Sequence, residues 1–502
     1  MNISTTYHGI NTRVYALALL GFMTPLAVVA AIDIMSSWKL FRGRSRRRSF
    51  VKKYSILEEE DSQASVDIPE SEDNSNIGTW NAIGLQRPLV IAMVGLPARG
   101  KSYIVKMIIR YLRWIGFESE VFNVGSYRRL HGKAGIGANF FSGDDKEASK
   151  SREEMAMAVQ EMMYEWLRKG DVKGRVAIFD ATNTTVDRRH ALCLRARREQ
   201  VSLLFVESIC DDKSILERNY SLKLQNDDYK DQDPSEARKD FLRRVDAYEK
   251  RYHTIEDDED SHQISYIKLI NVGQKVISRN CFGYLPSQVA FYLQNIHIVP
   301  RSIYLTLPAE NSDSVASILG GDSPKMTASG RQYTLDLAKF VQMQNNKEDM
   351  LVLTGTAKIH ALTSLHLRMQ VPVYTTNLLN ELRGGDFHLM KREEIKVKHR
   401  AVYEARQKNK LHYRYPGVGG ESYMDVIERV RPIIIELERQ RQPVLVVCHL
   451  AVMRCIYGYF TGACMEEIPS LPFKMHHVYQ LSPGPFGCET RRLELATEVM
   501  DM

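Results

Sequence analysis

The chain has 502 residues, 44% of them hydrophobic and 26% charged. That is enough for two or three ordinary domains and typical of a soluble globular protein. A formal net charge of +7 is modest for this size and gives no reason to expect a nucleic-acid partner. Seven cysteines (Cys193, Cys210, Cys281, Cys448, Cys455, Cys464 and Cys488) include no C-x-x-C pair, which argues for free thiols in a reducing compartment and against a disulfide framework or zinc site.

From Val14 to Ile32 the run VYALALLGFMTPLAVVAAI carries no charge. Its nineteen residues lie near the lower limit for a membrane-spanning helix, and Pro25 interrupts it. The basic cluster from Lys39 to Lys53 would hold whatever follows on the cytoplasmic side. Residues 1–35 are therefore expected to be a hydrophobic segment that serves as a membrane anchor, with membrane contact through 14–53. A cleaved signal peptide and a misassigned first exon are the other readings. Residues 36–84 turn from basic to acidic (EEEDSQASVDIPESEDNSN) and read as a disordered linker. Within it Ser49 follows three arginines, a context that basophilic protein kinases modify. Phosphate there would weaken contact with anionic lipid.

Periodic structure begins at Arg87. RPLVIAMV is a continuous apolar run suited to a buried parallel strand, and SYIVKMIIRYLRWIG has helical spacing. SEVFNV, RVAIFD and SLLFVES are further strand runs, separated by helix-like segments such as REEMAMAVQEMMYEWLRKG. Strands alternating with helices predict an α/β domain with a mainly parallel sheet over 85–300. A second α/β domain is predicted over 301–502, where SIYLTL, DMLVLTG and PVLVVCHLAVMRC read as strands.

The first strand run leads into GLPARGKS, Gly95 to Ser102, which fits G-x-x-x-x-G-K-[ST]. Its glycines let backbone amides approach phosphate oxygens at a helix N-terminus, Lys101 can reach the β/γ-phosphates, and Ser102 can ligate magnesium. RVAIFDATNTT places Asp180 at the end of an apolar strand with Thr182 just beyond, where an Asp can position magnesium or the attacking hydroxyl. The bland alternative for Asp180 is a helix cap. The pairs Arg128-Arg129 and Arg188-Arg189 follow strand runs and suit phosphate clamps, although such a pair is usually a solvated surface.

GLPARGKSY, RYLRWIG, VFNVGSYRR, FDATNTT, FVESIC, DFLRRVDAYEKRY and SYIKLINVG together resemble the kinase half of the 6-phosphofructo-2-kinase/fructose-2,6-bisphosphatase family, and the likeness runs from about Pro88 to the chain end. The resemblance implies a P-loop kinase domain followed by a histidine-phosphatase-like α/β domain. It also implies transfer of the ATP γ-phosphate to the 2-hydroxyl of fructose 6-phosphate, ATP and Mg as cofactors, a homodimer and a cytoplasmic location. Gly95, Leu96, Pro97, Ala98, Arg99, Gly100, Lys101, Ser102, Tyr103 and Asn219 would serve the nucleotide, and Ser102 and Asp180 the metal. Lys101, Asp180 and Cys210 would sit at the reacting centre, although Cys210 also reads as a small buried apolar residue. Arg128, Arg152, Thr182, Arg188, Arg244 and Tyr248 would hold the sugar phosphate, with Lys223 placed across a one-residue gap. The loop HGKAGIGANFFSG departs from the family's usual sequence.

In the second domain the same resemblance implies Arg-His-Gly-Glu after the first strand, the histidine being the phosphatase nucleophile. Here the corresponding residues are Leu307, Pro308, Ala309 and Glu310. Ile359 stands where the family has a second arginine, and Leu450 where a glutamine follows His449. Glu381 and His449 match the remaining acid/base residues, and Arg414, Tyr415 and Arg454 are candidates for ligand contact. The expectation is a kinase joined to an inactive phosphatase-like domain. A bifunctional enzyme with another nucleophile and a non-catalytic sensor of ATP and sugar phosphate are the rivals.

Overall fold

The computed structural model describes residues 87–495 apart from 133–134, 142–144, 170–173, 227, 230–231, 260–263 and 486. Residues 14–32, the basic cluster and Ser49 lie outside the described residues. Among the described residues no helix is long and apolar enough to cross a membrane.

Two six-stranded sheets organise the chain. The first contains β1 (Leu89–Val94), β2 (Ser119–Asn123), β3 (Val176–Asp180), β4 (Ser202–Ile209), β5 (Tyr266–Ile270) and β6 (Lys275–Arg279), in the order β2-β3-β1-β4-β5-β6. All its pairings are parallel except β5 with β6. The apolar run at β1 has no polar alternation because both its faces are covered, and all six residues are buried. β3 and β4 flank β1, the chain leaving β1 on the β3 side for the edge strand β2 and later crossing to β4 on the other side. The crevice between their C-terminal ends is where open α/β sheets bind ligands.

The second sheet contains β7 (Ile303–Thr306), β8 (Leu351–Thr354), β9 (Val373–Thr375), β10 (Val444–Val447), β11 (His477–Gly484) and β12 (Gly487–Glu494), in the order β12-β11-β7-β10-β8-β9. β10 pairs in parallel with β7 and β8, setting Val447 opposite both Thr306 and Thr354. PVLVVCHLAVMRC, expected as strand throughout, divides: the strand stops at Val447 and a helix runs from Leu450 to Thr461. Its apolar residues continue with helical period through Tyr459 and Phe460, both buried, until Gly462 adopts φ 69° and ends it.

The helix Lys101–Trp114 joins the two halves. Tyr111 stacks on Tyr292 at 4.3 Å, Trp114 meets Tyr459 edge-on at 5.3 Å, and the Trp114 indole donates to the Cys455 carbonyl at 3.0 Å. Beside these rings Glu438, 1% exposed, accepts from Arg110 at 2.6 Å, Arg301 at 2.8 Å and Tyr459 at 2.7 Å. Residues of both sheets share one apolar cluster across this seam.

Candidate active site and a degenerate second site

Each part of the first site follows from where a strand ends. β1 delivers Gly95 into the gap between β3 and β4, where its amide donates to the Thr182 carbonyl at 2.9 Å. A Cβ on Gly95 would stand 2.5 Å from the Ser208 carbonyl oxygen, and φ is 133°, so only glycine fits. Gly100, φ 88°, turns the loop into the helix Lys101–Trp114, whose N-terminus no side chain caps. That arrangement leaves the positive end of the helix facing the loop. The Asn219 amide donates to the Ala98 carbonyl at 3.0 Å and holds the loop apex.

Lys101 is buried and donates to the carbonyls of Gly95 at 2.8 Å and Leu96 at 2.6 Å. Burial lowers its pKa to about 7 against the attraction of Asp180. Asp180 closes β3 and is buried, which pushes its carboxyl up, while Lys101 and a hydrogen bond from Asn123 pull it back. Asn123 stands directly beside Asp180 in the β2–β3 register and also caps the next helix, accepting from Ser126 N–H at 2.7 Å. The Lys223 ammonium is lowered by burial, with Asp180 again opposing.

These groups open onto a cavity of about 870 Å³. Its described walls hold six arginines and three lysines against four carboxylates, an excess suited to a polyanion. Pro97, Ala98, Gly100, Lys101, Ser102, Tyr103, Asn219 and Asp180 line it, as do Arg128, Arg152, Thr182, Arg188, Lys223, Arg244 and Tyr248. The structure thus gathers the expected nucleotide and sugar-phosphate residues around one space. Arg99 lies at its back, donating to the Tyr220 hydroxyl at 3.3 Å, and Gly95 and Leu96 present carbonyls to Lys101. The Ser102 hydroxyl and Asp180 carboxylate are hard oxygen donors on one cavity. They suit Mg, which keeps waters and shares itself with phosphates.

Two expectations need correction. Cys210 does not line this cavity; it lines a neighbouring pocket of about 240 Å³ together with Arg99, and burial raises its thiol pKa. Arg189 is not a phosphate clamp, because it is fully buried and ion-paired with Glu259, donating also to the carbonyls of Asn183 at 3.1 Å and His253 at 3.0 Å. Its neighbour Arg188 does face the cavity, 3.7 Å from Glu153, with its buried Nε unpartnered among the described residues.

Sequence reasoning missed Asn123, Asp228, Phe141 and Arg251. Asp228 lies 2.5 Å from Arg128, 3.6 Å from Arg244 and 3.7 Å from Arg129. Burial would raise its carboxyl, but the Arg128 hydrogen bond and these charges hold it low. Phe141, from the divergent loop, carries the Arg244 guanidinium 3.8 Å above its ring. Arg251 lines the cavity and donates to the Phe141 carbonyl at 2.6 Å. Only the FF pair in that loop offered a signal.

At the second sheet the end of β7 carries apolar residues instead. Leu307, Ala309 and Ile359 are buried at 6%, 2% and 1% exposure and pack into apolar clusters. Glu381 and His449 remain, 3.8 Å apart, on a cavity of about 670 Å³ that none of Leu307, Pro308, Ala309 and Ile359 lines. Burial lowers the His449 pKa, and Glu381 opposes the shift. His360 packs edge-on against His449 at 4.6 Å, neither of its nitrogens partnered among the described residues. Tyr415 and Arg454 line an adjoining basic pocket of about 290 Å³ with Arg406 and Lys410. Arg414 instead pairs with Asp425.

Fold and sites define an α/β protein in which a P-loop kinase domain precedes a histidine-phosphatase-like domain. Residues 79–300 match the 6-phosphofructo-2-kinase family and residues 311–495 the histidine phosphatase superfamily, branch 1. The 6-phosphofructo-2-kinase/fructose-2,6-bisphosphatase 3 of Rattus norvegicus is 40% identical over 412 residues, 82% of this chain and 73% of that protein. Similar proteins are the 6-phosphofructo-2-kinase/fructose-2,6-bisphosphatase of Aquarana catesbeiana, 40% over 417 residues (82% and 86%), and that of Arabidopsis thaliana, 39% over 416 residues (82% and 54%). The chain belongs to the 6-phosphofructo-2-kinase/fructose-2,6-bisphosphatase family.

Proposed function

We propose that the chain phosphorylates fructose 6-phosphate at its 2-hydroxyl with ATP, making a regulator of glycolysis and gluconeogenesis, and that its phosphatase-like half is silent. The observation that carries the kinase reading is the meeting of Lys101 and Asp180 at one end of a cavity whose walls hold Arg128, Arg152, Arg188 and Arg244. Phosphoryl transfer needs alignment and charge neutralisation more than covalent chemistry. Lys101 neutralises charge on the transferred group, the arginines fix the sugar's 6-phosphate, and Asp180 accepts or orients the proton of the 2-hydroxyl. Ser102 and Asp180 would hold Mg, which would supply further charge neutralisation at the phosphates.

Loss of the phosphatase is supported by the buried apolar packing of Leu307, Ala309 and Ile359 and by Pro308, which has no side-chain lone pair. Removing one member of a catalytic unit costs on the order of 10⁴ to 10⁶ in rate. The family resemblance supports a homodimer, the positions of the cysteines and of the basic cluster support a cytoplasmic location, and the apolar run 14–32 with that cluster supports a membrane contact through residues 14–53. Purified protein given ATP and fructose 6-phosphate should form the 2,6-bisphosphate. No product would remove the kinase reading in favour of a non-catalytic sensor.

A further inference from the structure

We propose that Arg251 is a positioning residue for fructose 6-phosphate: it latches the turn Ala138–Phe141, whose Phe141 ring orients the arginines at the acceptor end. The inference rests on the kinase reading. Phe141 is buried, and the centre of its ring lies 3.8 Å from the Arg244 guanidinium and 5.5 Å from that of Arg128. The Tyr248 ring is 6.0 Å away. One aromatic face thus touches three residues assigned to the sugar phosphate. A ring that carries two guanidiniums fixes their planes, and bidentate capture of a phosphate depends on those planes.

The turn is too short to hold itself, and contacts from other elements place it. Ala138 N–H donates to Asp240 at 2.8 Å, the Phe140 carbonyl accepts from Arg152, and the Phe141 carbonyl accepts from Arg251 at 2.6 Å. Arg251 therefore holds the end of the turn that carries the ring. Its own mounting is firm. The Arg251 Nε donates to the Ala247 carbonyl at 3.2 Å, in the helix Pro234–Glu249 that also carries Arg244. Next along the chain, the Tyr252 hydroxyl donates to Glu207, a fully buried carboxylate on β4 that also accepts from Thr254 at 3.1 Å. His253 N–H donates to the Thr184 carbonyl at 2.9 Å, two residues beyond Thr182. Through these bonds Arg251 ties the turn to the central sheet.

Kinetics of the full chain test this. R251M removes the donor while keeping an unbranched side chain, and it should raise KM for fructose 6-phosphate roughly ten-fold. ATP affinity, measured by displacement of a fluorescent analogue, should match wild type, because the loop after β1 is built from other contacts. R251K should recover most of the loss, since an ammonium can still donate to the Phe141 carbonyl. F141L should also raise KM, and the double variant R251M/F141L should be no worse than F141L alone, because Arg251 acts through the ring. R238M, which breaks an exposed ion pair with Glu217 on the same helix, should keep the wild-type KM. An unchanged KM in R251M, an equal loss of ATP affinity, or losses that multiply in the double variant would each overturn the latch. Wild-type protein that forms no fructose 2,6-bisphosphate would instead overturn the kinase reading on which it rests.

Discussion

Lys101 spends its ammonium protons on the carbonyls of its own loop, with burial drawing its pKa to about 7. A phosphate beside it raises that pKa again, so at pH 8 nucleotide binding takes up a proton. Calorimetry in buffers of different ionisation enthalpy should show this uptake in wild type and its absence in Lys101→Met. Lys101→Ala should fold and lose well over nine-tenths of its kinase rate, where ~1.4 kcal/mol is tenfold. Arg128 and Arg188 face the proposed sugar phosphate, so alanine at either should raise KM for fructose 6-phosphate far more than for ATP. Equal effects on both substrates would remove that role. The P-loop was legible because its chemistry is contiguous. Asp228 was not, because its role comes from Arg128, distant in sequence and brought within 2.5 Å only by the fold.

At the scale of single elements, strands buried on both faces declared themselves, and β1, β3 and β4 fall where continuous apolar runs predicted them. β10 and its following helix did not separate, since Cys448-His449 is too short a break between two apolar stretches for periodicity to resolve. The helix Val186–Arg198 shows how neighbours on one element divide. Arg188 turns to the cavity and Arg189 to Glu259. Arg189→Met should leave Glu259 as a buried unpaired charge and cost about 3–5 kcal/mol of stability. Arg188→Ala should leave the melting temperature nearly unchanged. Equal thermal shifts in the two variants would show that the pair was misdivided.

Across the whole molecule the two sheets share a core, with Glu438 tying Arg110 of the first half to Arg301 at the junction. No local pattern announces such a seam, because Tyr111, Trp114, Tyr292 and Tyr459 read simply as apolar positions until their helices meet. Scanning calorimetry should therefore show one cooperative transition for the two halves, and two separate transitions would show that the seam is weak. The shared core would give the phosphatase-like half reason to persist under the proposed loss of its activity. Restoring one lost residue should not revive it: Pro308→His alone should hydrolyse nothing, since Leu307 and Ile359 still occupy positions where arginines would hold the phosphate. The most direct measurement follows one preparation through both reactions. Purified full-length protein with ATP and fructose 6-phosphate should accumulate fructose 2,6-bisphosphate. The same protein given fructose 2,6-bisphosphate labelled at the 2-phosphate should release no labelled phosphate and trap no phosphohistidine. Accumulation together with labelled release would contradict a one-way kinase and establish a bifunctional enzyme whose nucleophile is not residue 308.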